Sequence, residues 1–126
     1  MSLRSPMGRV LGLGSAKEGT AHWWGQRVSA VALIPLTLWF AISLFMLPAL
    51  DYGTVRAWLS VPLSSLFAVL LVAVLTYHSY LGTTVVIEDY VHSAGSKLLS
   101  LMLLRFLYVV VAGAGILAIL RVAFGS

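Results

Sequence analysis

The sequence predicts an all-α membrane protein with three transmembrane helices, its N-terminus cytoplasmic and its C-terminus on the opposite side. Three observations predict this: an apolar excess that no small soluble core can hide, three long runs almost free of charge, and basic residues gathered on alternate sides of those runs. Of 126 residues, 60% are hydrophobic and 10% charged, and the mean hydropathy is +1.00. A soluble domain carries roughly a quarter charged residues, and a chain this small has too little interior to bury the rest. The surrounding solvent is therefore lipid. Residues 1–126 read as a single membrane domain without repeats.

The first apolar run, Val28–Leu50, follows Arg27 and precedes Asp51. The second, Ala57–Ile87, lies between Arg56 and Glu88, and the third, Leu98–Leu120, is interrupted once by Arg105. A helix crosses a ~30 Å hydrocarbon layer in about 20 residues, so each run suffices. Pro48 and Pro62 punctuate the ends, which places the spans at about 28–48, 62–87 and 98–121 behind a cytoplasmic segment 1–27. Pro35 falls inside the first span, where neighbouring helices tolerate the kink it brings. That first run exceeds the roughly 7–15 residues of a secretory h-region and reads as a retained span.

Direction follows from the cations. Arg4, Arg9, Lys17 and Arg27 precede the first span and Lys97 and Arg105 follow the second, whereas the other side holds Arg56 and Arg121. The positive-inside rule then puts the N-terminus in the cytoplasm. Trp23 and Trp24 at one boundary, with Tyr52 and Trp58 at the other, suit the interfacial aromatic belts. The net charge of +4 is thus accounted for by topology and anionic headgroups, and nucleic acid is not an expected partner. With no cysteine, disulfides and thiolate metal sites are excluded.

Ionisable groups inside hydrocarbon are costly and usually functional. His78 lies ten residues before Glu88, roughly 15 Å below that charged boundary. Imidazole is a common haem ligand. On a helix His78, Gly82, Val85 and Asp89 share one stripe, so Gly82 leaves room beside the histidine for a flat macrocycle. Asp89 and Tyr90 emerge at the water boundary on the same side. Two readings of His78 stand from position alone: a packing hydrogen bond to a hydroxyl or carbonyl of a neighbouring helix, or ligation of haem iron. His92 and His22 do not match its depth, so a second axial ligand is expected from a partner chain. Arg105 is read as snorkelling to headgroups, and the small residues Ala112, Gly113, Ala114, Gly115 and Ala118 as a helix-packing surface.

The segment from His78 to Asp89-Tyr90 resembles the His-x10-Asp-Tyr signature of the succinate dehydrogenase hydrophobic membrane anchor subunit. Gly19 through His22-Trp23-Trp24-Gly-Gln-Arg27-Val-Ser29-Ala30 resembles that family's pre-helix segment, and the similarity covers essentially the whole chain. The resemblance implies a membrane anchor of succinate:quinone oxidoreductase, respiratory complex II, in a bacterial inner membrane. It implies a haem b shared with a cytochrome b subunit, with His78 as one axial ligand and Arg27 and His22 as candidates for the propionates. It also implies a ubiquinone site at Tyr90 and Asp89, and docking of an iron–sulfur subunit and a flavoprotein that carries out succinate oxidation. Alternatives are the anchor of a fumarate reductase, or a small proton-conducting membrane protein using His78 and Asp89 as relays.

Overall fold

The structure, a computed structural model, describes residues 13–125, with side chains from Gly19 onward. Arg4 and Arg9, which entered the charge count, lie outside the described residues, as does the side chain of Lys17. Four helices follow one another: α1 Leu13–Met46, α2 Tyr52–Ser60, α3 Pro62–Tyr90 and α4 Ala94–Phe124. Three are long and apolar enough to cross a membrane, over Gly19–Met46, Pro62–Tyr90 and Ala94–Phe124.

Proline sets two of the boundaries. A residue before proline is pushed out of the α region, and α1 stops at Met46, just ahead of Leu47-Pro48. Val61 is extended at φ −71° and ψ 123°, and Pro62 then opens α3 at a position where its missing N–H costs nothing. The apolar run from Ala57 is divided at Pro62, where the second span was expected to begin, and the residues before it belong to a separate helix. That helix, α2, has nine residues and is far too short to span. Asp51 caps it, Oδ1 accepting the Thr54 N–H at 2.7 Å. Arg56 on α2 donates to the Gly125 carbonyl beyond α4. Arg121 sits in the last turn of α4, where the helix dipole favours a cation.

α3 is the central helix: α1 and α4 both pack along it, while sharing no extended contact with each other. Ser29 meets His78, Gly25 meets Tyr77 and Leu81, and Gln26 meets Gly82, so α1 runs antiparallel to α3. Gly115 meets Val72 and Tyr108 meets Thr83, so α4 does too. The ends of the described bundle consequently lie on opposite faces. The core is thin. Among the described residues the buried apolar side chains are Leu59, Ala68, Leu71, Leu81 and Leu104, and no large side chain is fully enclosed. Most of the remaining Leu, Val and Phe are exposed, as expected where lipid is as apolar as a core and helices associate by close packing.

One expectation is redistributed by this packing. A Cβ on Gly115 would stand 3.0 Å from Val72 Cγ1, so Gly115 and half-buried Ala112 belong to the α3–α4 contact, whereas Gly113, Ala114 and Ala118 face outward. Trp58 stacks on Trp39 at 5.5 Å, and Trp39 meets the edge of Phe67 at 5.3 Å. That cluster fastens α2 across α1 and α3.

The Thr54 N–H holds the Asp51 carboxyl below its ordinary value. A depressed folded-state pKa contributes stability above the unfolded value and loses it as pH falls through the folded value. Protection of the first-turn amides of α2 against hydrogen exchange is expected to fall once pH drops below the usual carboxylate range. Asp51→Asn keeps a capping oxygen and should remove that pH dependence; an identical acid response in the variant would contradict the assignment.

Candidate functional site

Small residues bring α1 and α3 together where the histidine sits. Gly25 and Ser29 are one turn apart on α1, a small-xxx-small pair facing α3. A Cβ on Gly25 would lie 2.7 Å from Tyr77 Oη and 3.3 Å from Leu81 Cδ1, so glycine is what permits this approach. One turn on, Ser29 Oγ lies 2.9 Å from His78 Nδ1 and donates to the Gln26 carbonyl at 3.1 Å. Ser29 is only 5% exposed. The hydroxyl partner that position alone offered as an alternative to ligation is thus present. It engages one ring nitrogen only. His78 is half-buried, and its Nε2 makes no hydrogen bond among the described residues. The two readings of His78 are therefore compatible.

Towards the C-terminal end of α3 the polar stripe continues along α1. His22, Gln26 and Ser29 are spaced four and three residues apart and fall on one face. His22 Nε2 and Gln26 Oε1 are enclosed with no hydrogen-bond partner. Both atoms lie in surroundings where an unpaired polar group is costly. A Cβ on Gly82 would find only Gln26 Nε2 within 4 Å, at 3.8 Å.

α1 begins at Leu13, so His22 is a half-buried helical residue. It stands seven residues from Ser29, roughly 10 Å along the axis, while Asp89 stands eleven from His78, roughly 16 Å. Arg27, two residues from Ser29, is roughly 3 Å along the axis from the level at which Ser29 meets the histidine. Its guanidinium lies 5.5 Å from the Trp23 ring centroid, a cation–π contact. Trp23 in turn meets Trp24 edge to face at 4.9 Å.

Asp89 and Tyr90 end α3, both exposed, with Tyr90 at 76%. Neither makes a hydrogen bond among the described residues, and Tyr90 lies twelve residues, roughly 18 Å, from His78. The structure thus gathers His78, Ser29, Gln26 and Gly82 between two helices, with His22 further along the same face of α1, and leaves Asp89 and Tyr90 apart at a helix end. His92, in the connection to α4, is exposed.

A second polar network joins α3 to α4. Arg105, expected to snorkel, bonds through Nε to Tyr80 Oη at 3.3 Å. Tyr80 meets Tyr108 edge to face at 5.9 Å, and Tyr108 Oη lies 3.1 Å from Thr83 Oγ1. Tyr80, Arg105 and Tyr108 border a groove of about 310 Å³ whose floor is Ala73, Thr76 and Tyr77. A groove of about 540 Å³ on the α1 side, bordered by Trp24, Val28 and Ser29, shares that floor at Ala73 and Tyr77. Among the described residues no group of three His, Asp or Glu is placed to hold a metal ion. Sequence reasoning missed Gln26, Tyr80, Thr83 and Tyr108 and the pairing of Ser29. Only the polar stripe of His22, Gln26 and Ser29 was a readable signal.

A family model described as the succinate dehydrogenase/fumarate reductase transmembrane subunit matches residues 1–112. The chain is 34% identical over 122 residues to the succinate dehydrogenase hydrophobic membrane anchor subunit of Paracoccus denitrificans, covering 97% of this chain and 94% of that one. It is 33% identical over 93 residues to the succinate dehydrogenase membrane anchor subunit of Reclinomonas americana, covering 71% and 77%. With the hydrophobic membrane anchor subunit of Rickettsia bellii it shares 36% identity over 90 residues, 70% of each chain.

Thr83 Oγ1 also donates to the Ser79 carbonyl at 2.8 Å, which leaves Tyr108 the donor in their contact. Cross-helix hydrogen bonds in membranes are worth about 0.6 kcal/mol on average. Tyr108→Phe and Thr83→Val should each destabilise the α3–α4 pair by about that amount in mixed-micelle unfolding. The double variant should lose less than the sum; strict additivity would show that the two side chains do not interact.

Proposed function

The chain belongs to the family of succinate dehydrogenase and fumarate reductase transmembrane subunits, and on that premise we propose that, as an anchor subunit of complex II, it holds one side of a haem b through His78 and offers ubiquinone a hydrogen bond at Tyr90. It is a multi-pass inner-membrane protein and a subunit of an oxidoreductase complex. The names of its relatives favour succinate dehydrogenase over fumarate reductase.

One observation carries the haem assignment: within hydrocarbon, His78 has Nδ1 satisfied by Ser29 and Nε2 left without a partner in its own chain. A half-satisfied imidazole in lipid calls for a second partner from outside, and ferrous or ferric iron is one that imidazole suits. The polar atoms above it fit the rest of the group. Arg27 lies near the histidine's level and carries a guanidinium able to hold a carboxylate bidentately. The enclosed, unpartnered Nε2 of His22 would gain a partner from the second propionate. Gln26 can serve beside it, because the amide presents donors or acceptor according to its rotation. Gly82 keeps that stretch of α3 low, with only the Gln26 amide near it.

Bound there, haem b would supply storage for single electrons between a two-electron donor and the quinone. A second ligand to that group would have to come from the cytochrome b subunit. The iron–sulfur and flavoprotein subunits dock on the cytoplasmic side, which in the N-in orientation is the side of Asp89, Tyr90 and Lys97. Tyr90 lays its ring against the quinone and donates from its hydroxyl to a carbonyl oxygen. Asp89 passes protons from cytoplasmic water to the reduced ring. The exposure of both residues in the isolated chain suits a site completed by other subunits.

A mild-detergent pull-down of the chain should recover a flavoprotein, an iron–sulfur protein and a second small cytochrome; recovery of none of them would end the complex II reading. In the recovered complex, His78→Ala is expected to abolish the low-spin haem b absorption. Tyr90→Phe should lower succinate:quinone reductase activity by roughly two- to tenfold, the worth of one hydrogen bond. Succinate oxidation by an artificial acceptor should stay intact, and unchanged quinone kinetics would remove Tyr90 from the site.

A further inference from the structure

We propose that Ser29 is a positioning residue for His78: its buried hydroxyl fixes the tautomer of the imidazole, makes Nε2 the ligating atom and biases the bound iron towards the ferric state. This rests on the reading of His78 as a haem ligand, though its first step stands on the geometry of this chain alone.

The hydroxyl of Ser29 has one hydrogen and two contacts, the Gln26 carbonyl at 3.1 Å and His78 Nδ1 at 2.9 Å. A carbonyl only accepts, so that contact is a hydrogen bond only when the hydroxyl hydrogen points there. The oxygen then faces Nδ1 with its lone pairs, and the second contact is a hydrogen bond only if Nδ1 carries a proton. A neutral imidazole protonated at Nδ1 has its lone pair on Nε2, the nitrogen without a partner in the chain. The opposite tautomer forfeits one of the two contacts. Either two acceptors face each other, or the serine abandons the Gln26 carbonyl. With Ser29 at 5% exposure, water is poorly placed to replace the loss.

The setting is built for this short reach. Serine spans the gap only because Gly25, one turn away, lets Tyr77 and Leu81 come within 2.7 and 3.3 Å of where its Cβ would be. Among the described residues no other hydrogen bond reaches the His78 ring, so orientation and tautomer depend on this one partner.

The consequence follows from the chemistry of metal-bound imidazole. A ligating histidine that donates its other N–H to an acceptor becomes more basic at the bound nitrogen. A more basic ligand stabilises the higher oxidation state of iron. Removing the serine oxygen should therefore raise the haem midpoint potential and release the ring to both tautomers.

Two measurements test this. In the full chain labelled with 15N-histidine and reconstituted in lipid without haem, His78 is expected to show protonated Nδ1 and unprotonated Nε2. Ser29→Ala should give a tautomer mixture, and Ser29→Thr, which keeps the hydroxyl, should restore the single form. A wild-type ring protonated at Nε2 overturns the proposal whether or not haem binds. In the assembled complex, redox titration of haem b should show the potential raised in Ser29→Ala, with a several-fold shift of the ferric:ferrous ratio at the wild-type midpoint, and returned in Ser29→Thr. An unmoved potential overturns the tuning role. A correct tautomer in a complex with no haem at His78 would instead refute the haem reading and leave the serine's effect on the ring standing.

Discussion

An imidazole placed in hydrocarbon has two nitrogens to satisfy, and the rest of the site follows from how this chain satisfies one of them. The bond between Ser29 and His78 ties the first spanning helix to the central one, consumes Nδ1 and leaves Nε2 unpaired. An unpaired polar group costs more in lipid than at an aqueous surface. The fold therefore presents a demand that another molecule has to meet. The enclosed polar atoms of His22 and Gln26 extend the same demand along α1.

The bundle itself has the form of a component. With α3 at its centre and α1 and α4 on its flanks, it buries only a handful of side chains and keeps two grooves open over Ala73 and Tyr77. Lipid tails can cover the leucines and valines without cost, since they are equally apolar. Arg105, Tyr80 and Tyr108 are different. Their hydrogen bonds within the chain use only part of the capacity of a guanidinium and two phenols.

Much of this was legible in the sequence because hydropathy and charge act over whole segments. Three spans, the central histidine and the exposed Asp89-Tyr90 pair follow from run lengths and the position of a single titratable residue. The resemblance carried by His78-x10-Asp89-Tyr90 named the family that the comparisons then supported. What failed to show was register. Nothing in the sequence says that Ser29 and His78 stand opposite each other. That depends on α1 being helical from Leu13 and on Gly25 setting the interhelical distance. The same ignorance of register concealed Tyr80 as the partner of Arg105. The short α2 went unread because Ala57–Ile87 is continuous in hydropathy, and only the backbone restriction imposed by Pro62 on Val61 divides it.

The most direct test of the account is a density map of the whole complex at a resolution that separates the two edges of an imidazole ring. The account places iron at bonding distance from His78 Nε2, with Nδ1 still against the Ser29 hydroxyl. Iron on Nδ1, or a protein or lipid group against Nε2 with no porphyrin beside it, would contradict it.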